Sequence, residues 1–327
     1  MKAAIVGAGA IGTFIGTLLA RSGHEVAALA RGRTAVALAA HGFRFQQGGE
    51  HLTAPVQVAE DAGKLGPQEL VVIAVKGPSL GEVASRVGPL LGPATMVLTA
   101  MNGVPWWFFQ GLAGPHDGAA VRAVDPDGSI ARAIPGRAVI GCVVHATCVV
   151  LEPGLVRHGF GRELIIGEPG GAMSSRGERL AAALTKAGFA VTVSARIQAD
   201  IWYKLWGNMT MNPMSALTGA TCDRILDDPL LDRFTLAIMA EAAAIGERIG
   251  CPIRQSGEER NAVTRKLGAF KTSMLQDVEA GKPLEIDVLL TAVSEIGGRV
   301  GVPTPSTDAL LGLTRLFASG RGLYRPS

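Results

Sequence analysis

Three glycines stand at the spacing of a dinucleotide cradle, Gly7-Ala8-Gly9-Ala10-Ile11-Gly12, directly behind the apolar run Lys2–Val6. In such a cradle Gly7 permits the tight turn, Gly9 lets a pyrophosphate approach the backbone, and Gly12 lets helix and strand pack closely. The amides that open the helix, those of Ala10 and Ile11 among them, then bind phosphate. The other reading is a glycine-rich strand-to-helix turn with no ligand. An acidic residue at the end of the next strand would take a ribose 2′-hydroxyl, but the chain offers Ala30-Arg31-Gly32-Arg33 there. Those cations suit a 2′-phosphate, so NADP(H) is expected over NAD(H), unless both arginines are solvated loop charges.

A second set of reactive types lies in the segment 201–212. Lys204, Asn208 and Asn212 recur at i, i+4 and i+8, which is one stripe of a helix. Trp202 and Trp206 fall about 200° away on the opposite face. An ordinary solvated face would carry several charges of both signs, whereas this one offers one ammonium and two amides among Leu and Met. The stripe is expected to line a cleft, the alternative being a snorkelling lysine above helix-interior asparagines.

Residues 24–29, 70–75 and 96–100 read as buried strands, with helical patterning through Leu19 and over 81–91. This alternation predicts an α/β fold with an N-terminal Rossmann doubly wound sheet, continued by strands over 138–167, a helix over 176–187 and a strand over 190–194. Beyond about residue 197 every long segment has a helical period. The chain therefore divides into a Rossmann-like domain, 1–196, and an all-helical domain, 197–327, with a ligand cleft expected between them. A length of 327 residues supports two cores without disulfides or metals.

Composition excludes several classes. With 48% hydrophobic residues the chain is not disordered, and a net charge of +3 without a basic, aromatic-interleaved run leaves no nucleic-acid footprint. The longest uncharged apolar run, 139–151, is too short to span a membrane and reads as buried strand. The four cysteines show no framework spacing, which points to reduced thiols and a cytoplasmic protein. Cys142-x2-His145-x2-Cys148 has the look of a metal set, but on a single strand the cysteines would face one way and the histidine the other, so no metal is expected.

Taken together, the glycine turn, Ala74-Val75-Lys76, Asn102-Gly103, Lys204-x3-Asn208-x3-Asn212-Pro213, Ser273-Met274-Leu275-Gln276-Asp277 and Glu285-Ile286-Asp287 resemble the ketopantoate reductase (2-dehydropantoate 2-reductase) family. The resemblance runs from residue 5 to about 305. It implies a helical C-terminal domain similar to that of 6-phosphogluconate dehydrogenases, and NADPH-dependent reduction of a small 2-oxo acid. It further implies that Lys204 is the catalytic lysine and Glu285 the acidic partner at the substrate hydroxyl. Asn208, Asn212 and Ser273 would be substrate contacts, with Lys76 and Asn102 near the cofactor and Asn102 touching substrate as well. These roles make chemical sense, since an ammonium can polarise a keto oxygen and supply its proton as hydride arrives. Glu285 alone would otherwise read as a first-turn helix carboxylate.

Two features depart from the family pattern. Phe270 stands where a polar residue is often found, and residues 104–109 carry four consecutive aromatics that could wall a substrate pocket, pack in a core or form a subunit contact in a homodimer. A related dehydrogenase acting on a bulkier 2-oxo acid or an imine, and a non-catalytic NADP(H)-sensing module, are the alternatives.

Overall fold

A computed structural model describes residues 1–172 and 174–325. Two compact units emerge, Met1–Met101 with Ser129–Ile197, and Asn102–Gly128 with Gln198–Ser327. The segment 102–128, expected in the first domain, belongs to the helical unit instead. Its cause is the aromatic run: Trp107, Phe108 and Phe109 are fully buried, and Phe108 packs on Trp202 with ring centroids 5.8 Å apart.

The first unit is built on an eight-stranded sheet with spatial order β12-β11-β8-β7-β6-β1-β2-β5. Its central strands are β1 (Lys2–Val6), β2 (Glu25–Leu29), β6 (Gln68–Ile73) and β7 (Leu91–Thr99), with β5 (Gln57–Ala59) and β8 (Val139–His145) beside them. All of these pair in parallel. Both faces of such a sheet are covered, so the strands read as continuous apolar runs such as Ala3-Ala4-Ile5-Val6 rather than alternations. β11 (Glu163–Gly167) runs antiparallel to β8 and carries β12 (Ala190–Val193) parallel to itself. The chain leaves β1 for β2 on one side and later returns to β6 on the other. That reversal at β1 puts a topological switch point above its carboxyl end, where ligands of open α/β sheets bind.

The sequence reading carries no strand between residues 29 and 70. The structure has β3 (Phe43–Gln47) and β4 (Glu50–Ala54) there, joined through Gly48 and Gly49 at φ of +55° and +86°. With β9 (Cys148–Glu152) and β10 (Leu155–His158) they form a four-stranded sheet of order β4-β3-β10-β9. Helix α1 (Ala10–Arg21) packs on it, with Phe14 stacked on Phe45 at 5.2 Å. The helix expected over 81–91 is only α3 (Leu80–Ala84), because Gly88-Pro89 cannot continue it. Helix α2 (Gly32–His41) follows β2, α4 (Ser129–Ala133) precedes β8, and α5 (Ser175–Lys186) links β11 to β12.

The second unit is helical: α6 (Ile197–Thr218), α7 (Cys222–Asp227), α8 (Pro229–Arg248), α9 (Gly257–Arg265), α10 (Ser273–Glu279), α11 (Ala292–Val300) and α12 (Pro305–Ser319), with a π-helical turn at Asp287–Thr291 ahead of α11. Trp202 and Trp206 lie on the buried face of α6 and donate their indole N–H groups to the carbonyls of Ala242 and Met239 on α8, at 3.1 and 2.8 Å. These bonds satisfy the only polar atom of each buried indole and fix the rotation of α6 about its axis. Among the described residues, no helix is long and apolar enough to cross a membrane.

Candidate active site

In the first unit the three glycines have distinct steric reasons. Gly7 has φ of +97°, and a Cβ on it would lie 2.6 Å from Val75 Cγ1 and 2.8 Å from the Val75 nitrogen. A Cβ on Gly12 would stand 2.0 Å from the Gly7 carbonyl oxygen, so helix and loop touch through backbone alone. A Cβ on Gly9 would meet nothing within 4 Å, so the fold itself leaves that side of the loop open. Gly9 is the N-cap of α1 and brings no capping side chain, and no acid stands in the first turn. The amides of Ala10, Ile11 and Gly12 thus open the helix without an internal anion, a cradle that fits a pyrophosphate.

Arg31 is the N-cap residue of α2, just past the end of β2, in a stretch of sequence, Ala30–Arg33, that has no acidic residue. Its guanidinium forms a two-pronged pair with Glu82 on α3, with Nη2 to Oε2 at 3.0 Å, and both side chains are more than half exposed. Lys76 follows β6 and precedes a single 3₁₀ turn at Gly77–Ser79. The residues present therefore fit a nicotinamide dinucleotide.

In the second unit, Lys204, Asn208 and Asn212 share one face of α6, as their spacing predicts. Lys204 Nζ donates to Asn102 Oδ1 at 2.9 Å across 102 residues of sequence. The neighbouring Gly103 has φ of +79°, and a Cβ on it would lie 2.5 Å from the Val288 carbonyl oxygen. Val104 N–H donates to that same oxygen at 2.9 Å. Asn102 is thereby anchored to the π turn that follows Glu285.

Glu285 stands two residues before that turn begins and is only 8% exposed, so the solvated first-turn carboxylate of the alternative reading is not what the fold contains. Asn212 is likewise buried, at 7%, while Asn208 is half-buried. Ser273 is the first residue of α10 with an exposed side chain, and its neighbour Thr272 caps the helix by accepting from Leu275 N–H at 3.2 Å. Phe270 is half-buried and its carbonyl accepts from Cys222 N–H at 3.1 Å. The structure joins Lys204 directly to Asn102, and ties Asn102 through the π turn to the segment of Glu285. The lysine–asparagine pairing has no signal in local sequence, because the two lie on elements far apart along the chain.

Of the three readings open for the aromatic run, burial matches the packed core: Trp106, Trp107, Phe108 and Phe109 are all at 3% exposure or less. One expectation is corrected. The strand read over 139–151 is two strands, β8 ending at His145 and β9 beginning at Cys148, so the alternation argument across Cys142, His145 and Cys148 does not apply. Burial alone pushes the Cys148 thiol up to about 12, and burial first, then the Asp223 charge, pushes Cys222 to about 11. Neither is a thiolate at neutral pH.

The family model described as "Ketopantoate reductase PanE/ApbA" matches residues 3–171, and its C-terminal counterpart, "Ketopantoate reductase PanE/ApbA C terminal", matches 196–318. A 2-dehydropantoate 2-reductase of Mesorhizobium japonicum is 44% identical over 99% of this chain and 100% of its own length. A solved structure from Ralstonia solanacearum MolK2, of a protein assigned as a ketopantoate reductase, superposes with TM-score 0.96 at 58% identity, covering 99% of both chains. A PanE/ApbA family ketopantoate reductase from Ralstonia eutropha JMP134 gives TM-score 0.84 at 27% identity, over 98% of this chain and 100% of that one. With matched models over both halves and a full-length relative at this identity, the chain belongs to the ketopantoate reductase family of oxidoreductases.

Proposed function

We propose that this protein reduces ketopantoate to pantoate with NADPH. The observation that carries the reading is the Lys204 ammonium, held by Asn102 Oδ1 at 2.9 Å on a helix face that also carries the amides of Asn208 and Asn212. A donor so held can bind the 2-oxo group and polarise it before reaction. As negative charge develops on that oxygen, Lys204 supplies the proton that completes the alcohol. The bound reduced nicotinamide supplies the hydride. Asn208 and Asn212 donate to the substrate's oxygens, Ser273 offers a further hydroxyl, and Glu285 receives the substrate's own hydroxyl as a hydrogen-bond acceptor.

For the cofactor, Gly7, Gly9 and Gly12 leave room for the pyrophosphate, which the amides of Ala10 and Ile11 would bind, with Lys76 and Asn102 toward the nicotinamide half. Arg31 at the end of β2, with no acid beside it in sequence, is the reason to prefer NADPH over NADH: its planar fork matches a 2′-phosphate. The four cysteines are free thiols, which supports a cytoplasmic site of action.

The test is the initial rate of NADPH oxidation with a panel of 2-oxo acids that includes ketopantoate and a larger aromatic one, repeated with NADH. The reading expects ketopantoate with NADPH to have the highest kcat/KM. A higher value for the aromatic acid would assign a different substrate to the same site, and equal values with NADH would remove Arg31 as the selector.

A further inference from the structure

The C-terminal tail doubles back onto the segment that carries Glu285. After α12, Gly322 adopts φ of +68°, and Leu323 N–H donates to the Ala318 carbonyl at 2.8 Å, a closure that reverses the chain. Leu323 and Tyr324 are both buried, at 6% and 8% exposure. Leu323 then accepts from Leu284 N–H at 2.9 Å, one residue before Glu285. Tyr324 donates its hydroxyl to Asp287 Oδ1 at 2.9 Å, two residues after Glu285. The same oxygen accepts from Thr291 Oγ1 at 2.7 Å, and Arg315 donates to Thr291 Oγ1 at 3.0 Å, so the acceptor is itself held. Burial first, and the Asp287 carboxylate second, raise the Tyr324 hydroxyl above its ordinary range, which keeps it a donor.

We propose that Tyr324 is a positioning residue for Glu285: with the Leu323 carbonyl on one side and the Tyr324–Asp287 bond on the other, the tail fixes the short segment from which the buried carboxylate projects. Leu284 and Ile286, at 1% and 0% exposure, anchor that segment in the core, but apolar packing sets depth rather than the direction of a carboxylate. Directional hydrogen bonds on both flanks add a constraint on the direction of the backbone that carries it. This inference rests on reading Glu285 as the acceptor of the substrate hydroxyl.

The test compares ketopantoate with 3,3-dimethyl-2-oxobutanoate, which has the same frame and no hydroxyl. Tyr324→Phe removes one hydroxyl and leaves the ring. It should raise KM for ketopantoate about fivefold, the worth of one hydrogen bond, while KM for the deoxy analogue, kcat and NADPH affinity stay within twofold. Asp287→Ala should do the same, and Asp287→Asn, which keeps a carbonyl oxygen for Tyr324, should restore most of the loss. Combined with Glu285→Gln, Tyr324→Phe should cost nothing further, because the group it positions has already been altered. Equal losses on both substrates, or an unchanged KM in either folded variant, would overturn the proposal. If Glu285→Gln discriminates between the two acids and Tyr324→Phe does not, only the tail's role falls; if Glu285→Gln fails to discriminate, the reading of Glu285 falls and this inference with it.

Discussion

Lys204 Nζ and Asn102 Oδ1 lie 2.9 Å apart, a hydrogen bond between the first turns of α6 and the residue that follows the β7 strand by three positions. A lysine side chain has four rotatable bonds and loses its geometry cheaply, so an acceptor at its tip is what turns a flexible cation into a directed donor. Asn102→Ala should therefore lower kcat on ketopantoate about tenfold, at the low end for a hydrogen bond to a charged group, as read from steady-state rates with saturating NADPH. Unchanged kcat would mean that the lysine is held by other groups.

The glycines of the nucleotide loop should separate binding from stability. Gly9→Ala places a methyl in open space, so its melting temperature should match the parent while NADPH binding by nicotinamide fluorescence weakens at least tenfold, because that methyl occupies the pyrophosphate's approach. Gly12→Ala drives a methyl to within 2.0 Å of the Gly7 carbonyl oxygen and should cost about 1–3 kcal/mol of stability, as overpacking does. A Gly9→Ala variant that binds NADPH normally would count against the cradle.

Arg31→Ala should weaken NADPH binding by about 1.5–3 kcal/mol, the value of a charge-assisted bidentate contact, and leave NADH within about twofold. Because Arg31 is paired with Glu82, Glu82→Gln should move NADPH affinity the other way by a few-fold at low salt. Isothermal titration of both nucleotides against both variants decides this, and equal losses for NADPH and NADH in Arg31→Ala would contradict it.

One ion pair makes stability depend on pH. Burial opposes the charge on Glu168, but the Arg176 guanidinium and the Ser174 hydroxyl bind it, and the net effect holds its carboxyl below the ordinary value of 4.5. Arg176 Nε reaches Glu168 Oε1 at 2.8 Å and its Nη2 also donates to the Val139 carbonyl at 3.2 Å, tying α5 to the start of β8. A depressed folded-state value gives stability that is fully present above the ordinary value and is lost as pH falls through the depressed one. Glu168→Gln should cost about 1.5–3 kcal/mol at pH 7 by urea unfolding, and the gap should shrink steadily below pH 4.5. A gap independent of pH would assign the loss to packing.

Local patterns were readable where they were long or chemically constrained. The glycine turn, the Lys204 stripe and the helical period beyond residue 197 each depend on contacts a few residues apart, so spacing alone displays them. The β3–β4 hairpin was also written in the chain, as Phe43 and Phe45 alternating with polar residues before Gly48-Gly49, but its outward face is polar and its strands are five residues each. The placement of 102–128 with the helices was hidden because an aromatic run announces burial and not the partner that buries it. Likewise the bond of Lys204 to Asn102 and that of Tyr324 to Asp287 are contacts at long sequence separation, decided only when the helices pack. The break between His145 and Cys148 shows the converse error, where a continuous apolar run conceals a turn.

Protonation by Lys204 of the oxygen formed from the 2-oxo group is read from kcat for ketopantoate in Lys204→Ala measured beside its dissociation constant for NADPH. General acid catalysis contributes about 10² to 10⁴ in rate, so kcat should fall by that order while the NADPH constant stays within about twofold of the parent. A variant that keeps near-normal kcat with NADPH bound would make Lys204 a structural residue and contradict the account.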